Sequence, residues 1–203
     1  MGTEIEKRFF DIGTEEEDDG TVKKIRGYAA VFNQDSADMG FIEQIAPGAF
    51  AEALQSSDVR VLFNHDSNII IGRMGVNLDL REDGTGLYME LSPIDDPDYR
   101  RVEGKIRSGL ITQQSFGFTV EADEWSDLDT YHPKSKITKI KKLFDVSPVT
   151  YPAYPGTSVA LRKLDELKAE RGQQQHSIEG RRLDRMEEDR IRENYLRMRG
   201  LMK

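Results

Sequence analysis

The segment from Gln114 to Glu121 constrains the fold most. Phe116, Phe118 and Val120 alternate there with Ser115, Gly117 and Thr119, and only an extended strand puts residues of period two on opposite faces. The phenylalanines must then pack into a core, which leaves Ser115 on the other face. Such a strand needs partners, and several runs supply them. Val22 to Phe32 is rich in β-branched and aromatic residues. Val59, Val61 and Phe63 alternate with Arg60 and Leu62. Ile69 to Gly72, Leu78 to Leu80 and Leu87 to Leu91 read as further strands. Asp83-Gly84 and Thr85-Gly86 provide a hairpin turn between the last two, so an antiparallel meander is the simplest arrangement. Lys7 to Ile12 is a shorter alternating piece, and Ile137 to Thr150 is a longer extended one.

Helices are few. Pro47 at a first turn, followed by Ala49, Phe50, Ala53 and Leu54 at helical spacing, predicts a short helix over 47–55. Asp95, Asp96 or Asp98 caps a second, which runs to about Ser108 and is stopped by Gly109. Its apolar face is thin, only Tyr99, Val102 and Ile106, which predicts a surface position. The acidic run Glu15 to Asp19, closed by Gly20, reads as a solvated loop. Residues 123–136, polar and containing His132-Pro133, read as another. Beyond Ala160 the character changes. Leu161, Leu164 and Leu167 mark an amphipathic helix, Gly172 to Gly180 is a Gln-rich break, and residues 181–200 form a highly charged helix. From Leu161 onward there are twelve Lys and Arg against nine Asp and Glu, a net +3 that leaves the body near −11. The expected division is therefore an N-terminal strand and acidic loop at 1–21, a main domain at 22–160 and a charged helical tail at 161–203, suited to docking or to removal.

Composition excludes several classes of function. The 203 residues fit one enzyme-sized domain, and 37% hydrophobic against 33% charged residues describes a soluble, rather polar chain. A net charge of −8 argues against a duplex-binding surface, which needs clustered Lys and Arg. With no cysteine there is no disulfide, no thiolate metal site and no cysteine nucleophile. MGTEIEKRFF lacks the apolar centre of a signal peptide, and no run approaches the roughly 18 to 20 apolar residues of a membrane span; the expected location is the cytosol. Three dispersed histidines, His65, His132 and His176, without HExxH, do not make a zinc site. No Walker loop and no GxGxxG follows a strand, so nucleotide chemistry has no support.

A serine hydrolase remains open. A serine attacks a carbonyl only when a base within hydrogen-bond reach takes its proton and a third group fixes that base. His65, at a strand-to-loop junction in FNHD, reads either as such a base or as a turn residue whose neighbours Asn64 and Asp66 bond the local backbone. Ser115 is one of twelve serines; its alternatives are solvent exposure or a cross-strand hydrogen bond. In QSFGF the glycine two residues on leaves room beside the hydroxyl for another chain. Asp145 reads equally as an exposed carboxylate balancing Lys141 and Lys142. Spacing alone does not choose among these.

Several short motifs in order do choose. GYAAVFN at 27–33, PGAF at 47–50, FNHD at 63–66, GR at 72–73, RSGL at 107–110, QSFGF at 114–118 and VSPVTYPAYPGTSVA at 146–160 together resemble the prohead maturation proteases of tailed bacteriophages, over roughly residues 22–160. That family is similar in fold to the herpesvirus assembly proteases. The resemblance implies an α+β fold, mainly an antiparallel β-barrel with surrounding helices. It implies Ser115 as nucleophile, His65 as general base and Asp145 as third member, at a position where relatives often carry glutamate. His132 is the rival for that third role, because the herpesvirus relatives use a second histidine. Oxyanion donors would come from a loop downstream of the nucleophile, near Val149 and Thr150. No metal or organic cofactor is implied. The expected substrates are the major capsid protein's scaffolding segment or a separate scaffold protein, and the protease itself, cut within the 172–180 break. A homodimer is expected by analogy, with no nucleic-acid or membrane partner, and the place of action is the inside of the procapsid in the host cytoplasm. Two other readings stand beside this one: a non-enzymatic scaffolding or capsid-assembly protein with a protease-like domain, and a small-ester hydrolase, which the absence of a GxSxG elbow disfavours.

Overall fold

The computed structural model describes residues 6–16, 22–151 and 160–172, together with Arg182 and Met186. Two compact units divide the chain, Met1–Thr157 and Ser158–Lys203.

The first unit is one nine-stranded sheet that curls into a nearly closed barrel. Its strands are β1 (Glu6–Glu16), β2 (Val22–Val31), β3 (Ile42–Ile45), β4 (Arg60–Phe63), β5 (Asp66–Arg73), β6 (Leu78–Glu82), β7 (Gly86–Leu91), β8 (Gln113–Ser126) and β9 (Lys134–Val149). The path runs β5-β4-β9-β8-β1-β2-β7-β6, with β3 added beside β9. The two strands that end the path, β5 and β6, are consecutive in sequence, so the short link 74–77 brings the ends of the sheet together. Asn77 ties this seam: its Nδ2–H group donates to the Ile71 carbonyl at 3.2 Å and to the Ser92 carbonyl at 3.1 Å.

The barrel is mainly antiparallel, as expected, but the sheet is mixed. β3 and β4 both run parallel to β9, while β8 and β9 form a long antiparallel pair. The expected meander is corrected. β5 pairs with β4 and β6 with β7, and β5 and β6 share no ladder. Alternation announces a strand but not its neighbour, and hairpin turns at both 64–65 and 83–85 are compatible with the same pattern. The loop expected at 123–136 is shorter than the polarity implied. β8 continues to Ser126 and β9 begins at Lys134, because Trp125 packs on Phe41 with ring centroids 5.0 Å apart.

Two helices cover the barrel. α1 (Ala51–Ser56) starts later than the periodicity predicted, since Gly48 has φ 85° and 47–50 form turns. The Phe50 N–H is satisfied from a distance by Glu82 Oε1 at 2.8 Å. α2 (Pro97–Arg107) is capped by Asp96, whose side chain accepts from the Tyr99 N–H at 2.8 Å, the middle of the three aspartates considered. Gly109, φ 73°, ends it as expected. The core gathers Phe50, Phe116, Phe118, Val146, Leu143 and Ile140, all fully buried, with Tyr99, Val102 and Ile106 of α2. Phe116 stacks on Phe118 at 4.8 Å and meets Phe50 edge-on at 5.8 Å. The face opposite these rings therefore belongs to Ser115 and its neighbours.

In the second unit a helix spans 160–172. Beyond Gly172, the Gln-rich break and the charged helix expected over 181–200 lie outside the described residues, apart from Arg182 and Met186. Most of the acidic run at 15–19 lies outside them too.

Candidate active site

Strand register assembles the site. Across the β8–β9 ladder Ser115 faces Ser147 and Gly117 faces Asp145. Directly opposed residues share a face, and so do residues two apart along a strand. Ser115, Gly117, Asp145 and Ser147 therefore lie together on the face away from the phenylalanines. Ser115 and Asp145 are diagonal neighbours, which sets their backbones roughly 7–8 Å apart. Gly117, lacking a side chain, leaves the position opposite Asp145 uncrowded.

His65 reaches this face from β4, which lies on the other side of β9 with Arg60 beside Asp145. Phe63 and Asp66 pair across the β4–β5 ladder, leaving Asn64 and His65 as a two-residue turn. Both have positive φ, 55° and 59°, the signature of a type I′ turn, whose twist matches that of the flanking strands. Asn tolerates this conformation. Histidine is also among the non-glycine residues more often found there, although left-handed geometry costs a residue with a Cβ roughly 1–2 kcal/mol. Such a conformation persists only where the surroundings fix it.

The fixing contacts are visible. His65 Nδ1 lies 2.7 Å from Asp145 Oδ2 and 3.0 Å from Oδ1, with both side chains nearly buried, 13% and 8% exposed. Facing a carboxylate, Nδ1 carries the proton and donates it, so in the neutral ring Nε2 keeps its lone pair. That Nε2 is buried without a hydrogen-bond partner, and so is Ser115 Oγ. A buried hydroxyl left unpaired costs about 1–3 kcal/mol, so a group of this kind calls for an explanation. The two atoms do not bond each other in this unliganded arrangement, where contacts of this kind are commonly long.

Ser115 is neither exposed nor cross-strand bonded; it is fully buried and unpartnered. Asp145 does not balance Lys141 and Lys142 at the surface; it is buried against His65. Asp66 does behave as a turn residue, accepting from the Asn68 N–H at 2.9 Å, but the partners of Asn64 and His65 lie 80 or more positions away. His132 sits elsewhere, half-exposed, with Nδ1 3.1 Å from Asp38 Oδ2. The Thr150 N–H, expected near the oxyanion, instead donates to Asn64 Oδ1 at 2.7 Å, so this amide is already committed. Among the described residues no group of three or more His, Asp or Glu side chains is gathered in a way that could hold a metal ion.

Other motif residues serve the scaffold. A Cβ on Gly72 would meet Leu91 Cδ1 at 2.3 Å. Arg73 forks onto Asp58, Nε to Oδ1 at 2.8 Å and Nη2 to Oδ2 at 2.9 Å, holding that carboxyl below its usual range. Two contributors were not found from sequence. Ser147 Oγ accepts the Leu62 N–H at 3.2 Å, and Asn64 joins Thr150. Both lie in quoted motifs, but nothing in a linear sequence pairs residues 62 and 147.

The family profile described as Caudovirus prohead serine protease matches residues 10–170. The chain belongs to this family. The match spans both the His65–Asp145 pair and Ser115, and nearly all of the barrel. The solved structure of the bacteriophage T4 capsid assembly protease, gp21, is similar to the chain with a TM-score of 0.49 and 10% sequence identity, covering 73% of this chain and 98% of that one. No curated protein matches. Among the described residues no helix is long and apolar enough to cross a membrane.

Proposed function

We propose that this member of the prohead protease family is a serine endopeptidase with Ser115 as nucleophile, His65 as general base and Asp145 as the group that orients the base. The observation that carries the reading is the His65–Asp145 contact at 2.7 Å together with two buried, unpartnered atoms on the same face, His65 Nε2 and Ser115 Oγ. Nε2 takes the hydroxyl proton as Ser115 Oγ attacks the scissile carbonyl. The resulting imidazolium is stabilised by Asp145, and its proton passes to the leaving amine as the acyl-enzyme forms. Water, deprotonated by the same nitrogen, then releases the acyl group.

The substrates proposed are the scaffolding segment of the major capsid protein, or a separate scaffold protein, and the protease itself, cut within the 172–180 break of its tail. Confinement within a prohead would raise the effective concentration of enzyme and substrate together. Co-expression with the cognate capsid protein tests the reading. Wild type should shorten the capsid protein, as read by intact mass, and Ser115→Ala should leave it at full length. Equal masses in both would overturn the assignment and favour the non-enzymatic scaffolding role.

A further inference from the structure

The turn that carries His65 is tied down by its neighbour. The Asn64 N–H donates to the Pro148 carbonyl at 3.0 Å. The Asn64 side chain then grips one residue twice: Oδ1 accepts the Thr150 N–H at 2.7 Å, and Nδ2–H donates to Thr150 Oγ1 at 3.1 Å. A backbone N–H can only donate, so the amide orientation is determined by chemistry. Asn64 thus closes a paired clamp onto the end of β9, five residues beyond Asp145. The regular β4–β9 ladder has already stopped; its recorded pair is Arg60 with Asp145. Past that point the Leu62 N–H to Ser147 Oγ bond, the Asn64 N–H to Pro148 bond, the side-chain clamp and the His65–Asp145 contact join the two elements.

We infer that Asn64 is a positioning residue: its paired bonds to Thr150 hold the left-handed turn so that His65 presents Nδ1 to Asp145 and Nε2 towards Ser115. The inference rests on the catalytic reading above and deepens it. With the clamp gone, the Asn64 N–H bond remains as a pivot about which the turn can rock, and the imidazole at its tip moves most. Turn propensity alone does not account for the clamp, because an Asn needs no partner to adopt positive φ.

The test separates propensity from clamping. Asn64→Gly keeps the left-handed conformation but deletes both side-chain bonds. Asn64→Asp tolerates the same φ and keeps an acceptor for the Thr150 N–H. Two readouts are taken on the full chain: the rate at which a fluorophosphonate probe labels Ser115, and the downfield Nδ1–H proton resonance of His65, assigned by its absence in His65→Gln. In Asn64→Gly, labelling should fall on the order of 10²-fold, the scale expected for a misplaced catalytic group, and the resonance should broaden or vanish while the circular dichroism stays that of wild type. Asn64→Asp should recover most of both. Wild-type labelling and an unchanged resonance in Asn64→Gly would overturn the inference. Should Asn64→Gly fail to fold, Thr150→Val removes half the clamp without touching the turn, and the same unchanged readouts there would overturn it. If wild type and Ser115→Ala react alike with the probe, the catalytic reading fails; the resonance then decides the clamp by itself.

Discussion

Two hairpin turns in this barrel solve the same geometric problem in opposite ways. The β6–β7 turn, Asp83 to Thr85, is held first by its own residues, with Tyr28 and Phe32 from the neighbouring β2 side adding to them. The Asp83 carboxylate accepts the N–H of Thr85 at 2.7 Å and of Gly86 at 3.1 Å, and the Tyr28 hydroxyl at 2.9 Å. The β4–β5 turn, Asn64-His65, has no glycine and takes its support from Thr150 and Asp145, on the far end of another strand. A turn that only has to reverse the chain can rely on local chemistry. The turn that carries His65 depends on contacts made only with β9 in place, so the histidine's orientation follows from the strand pairing.

The sharpest way to break that contrast is at Asp145. Asp145→Asn leaves a side chain of the same shape but removes the carboxylate that holds the His65 Nδ1–H. A loss of about 10⁴-fold in kcat, with KM little changed, is expected in cleavage of a capsid-derived peptide. His132→Ala, which removes a ring that meets Tyr131 edge-on and bonds Asp38 but not His65, should leave kcat where it was. If the histidine change abolishes turnover and the aspartate change does not, the long-range support of the β4–β5 turn has nothing to do with catalysis, and the third role passes to His132.

At the other turn the signs reverse. Asp83→Ala removes the acceptor for two backbone N–H groups and for Tyr28, so the melting temperature should drop while kcat and KM remain those of wild type. A clear fall in kcat without a change in melting would mean that the β6–β7 turn also shapes the site, and the division of labour drawn here would collapse.

The same contrast explains what was legible beforehand. The strand carrying Ser115, the helix stop at Gly109 and the Asp-Gly turn were readable because each is written in adjacent residues: alternation, a glycine where φ must be positive, an acid that caps its own turn. The mixed character of the sheet was not, because parallel pairing of β3 and β4 with β9 is a decision between segments tens of residues apart. Ser115 and Asp145 carried no local mark, and their burial on one face follows from the β8–β9 register alone. Ordered motifs picked them out; the physical reason, a diagonal pair flanking a glycine, appears only once the strands are paired. Asn64 shows the limit most plainly. Its neighbour His65 drew attention, yet the residue that Asn64 holds is 86 positions away.

The smallest effect expected is electrostatic, and it tests whether the β6–β7 turn is held first by its own residues. Asp83 has its pKa lowered, first by the Thr85 N–H; desolvation opposes this, and the Gly86 N–H, the Tyr28 hydroxyl and the nearby Arg81 add to the lowering. A carboxyl whose folded pKa lies below its unfolded value, about 3.9, stabilises the fold above that value and loses its contribution as pH falls through the folded pKa. Asp83→Asn keeps an oxygen acceptor for the turn but has no proton to gain. The stability gap between wild type and Asp83→Asn, measured by urea unfolding, should therefore be constant from neutral pH down to about 5 and shift against wild type below about 4. An acid limb identical in the two proteins would mean that the N–H groups of Thr85 and Gly86 hold the charged carboxylate no better than water does.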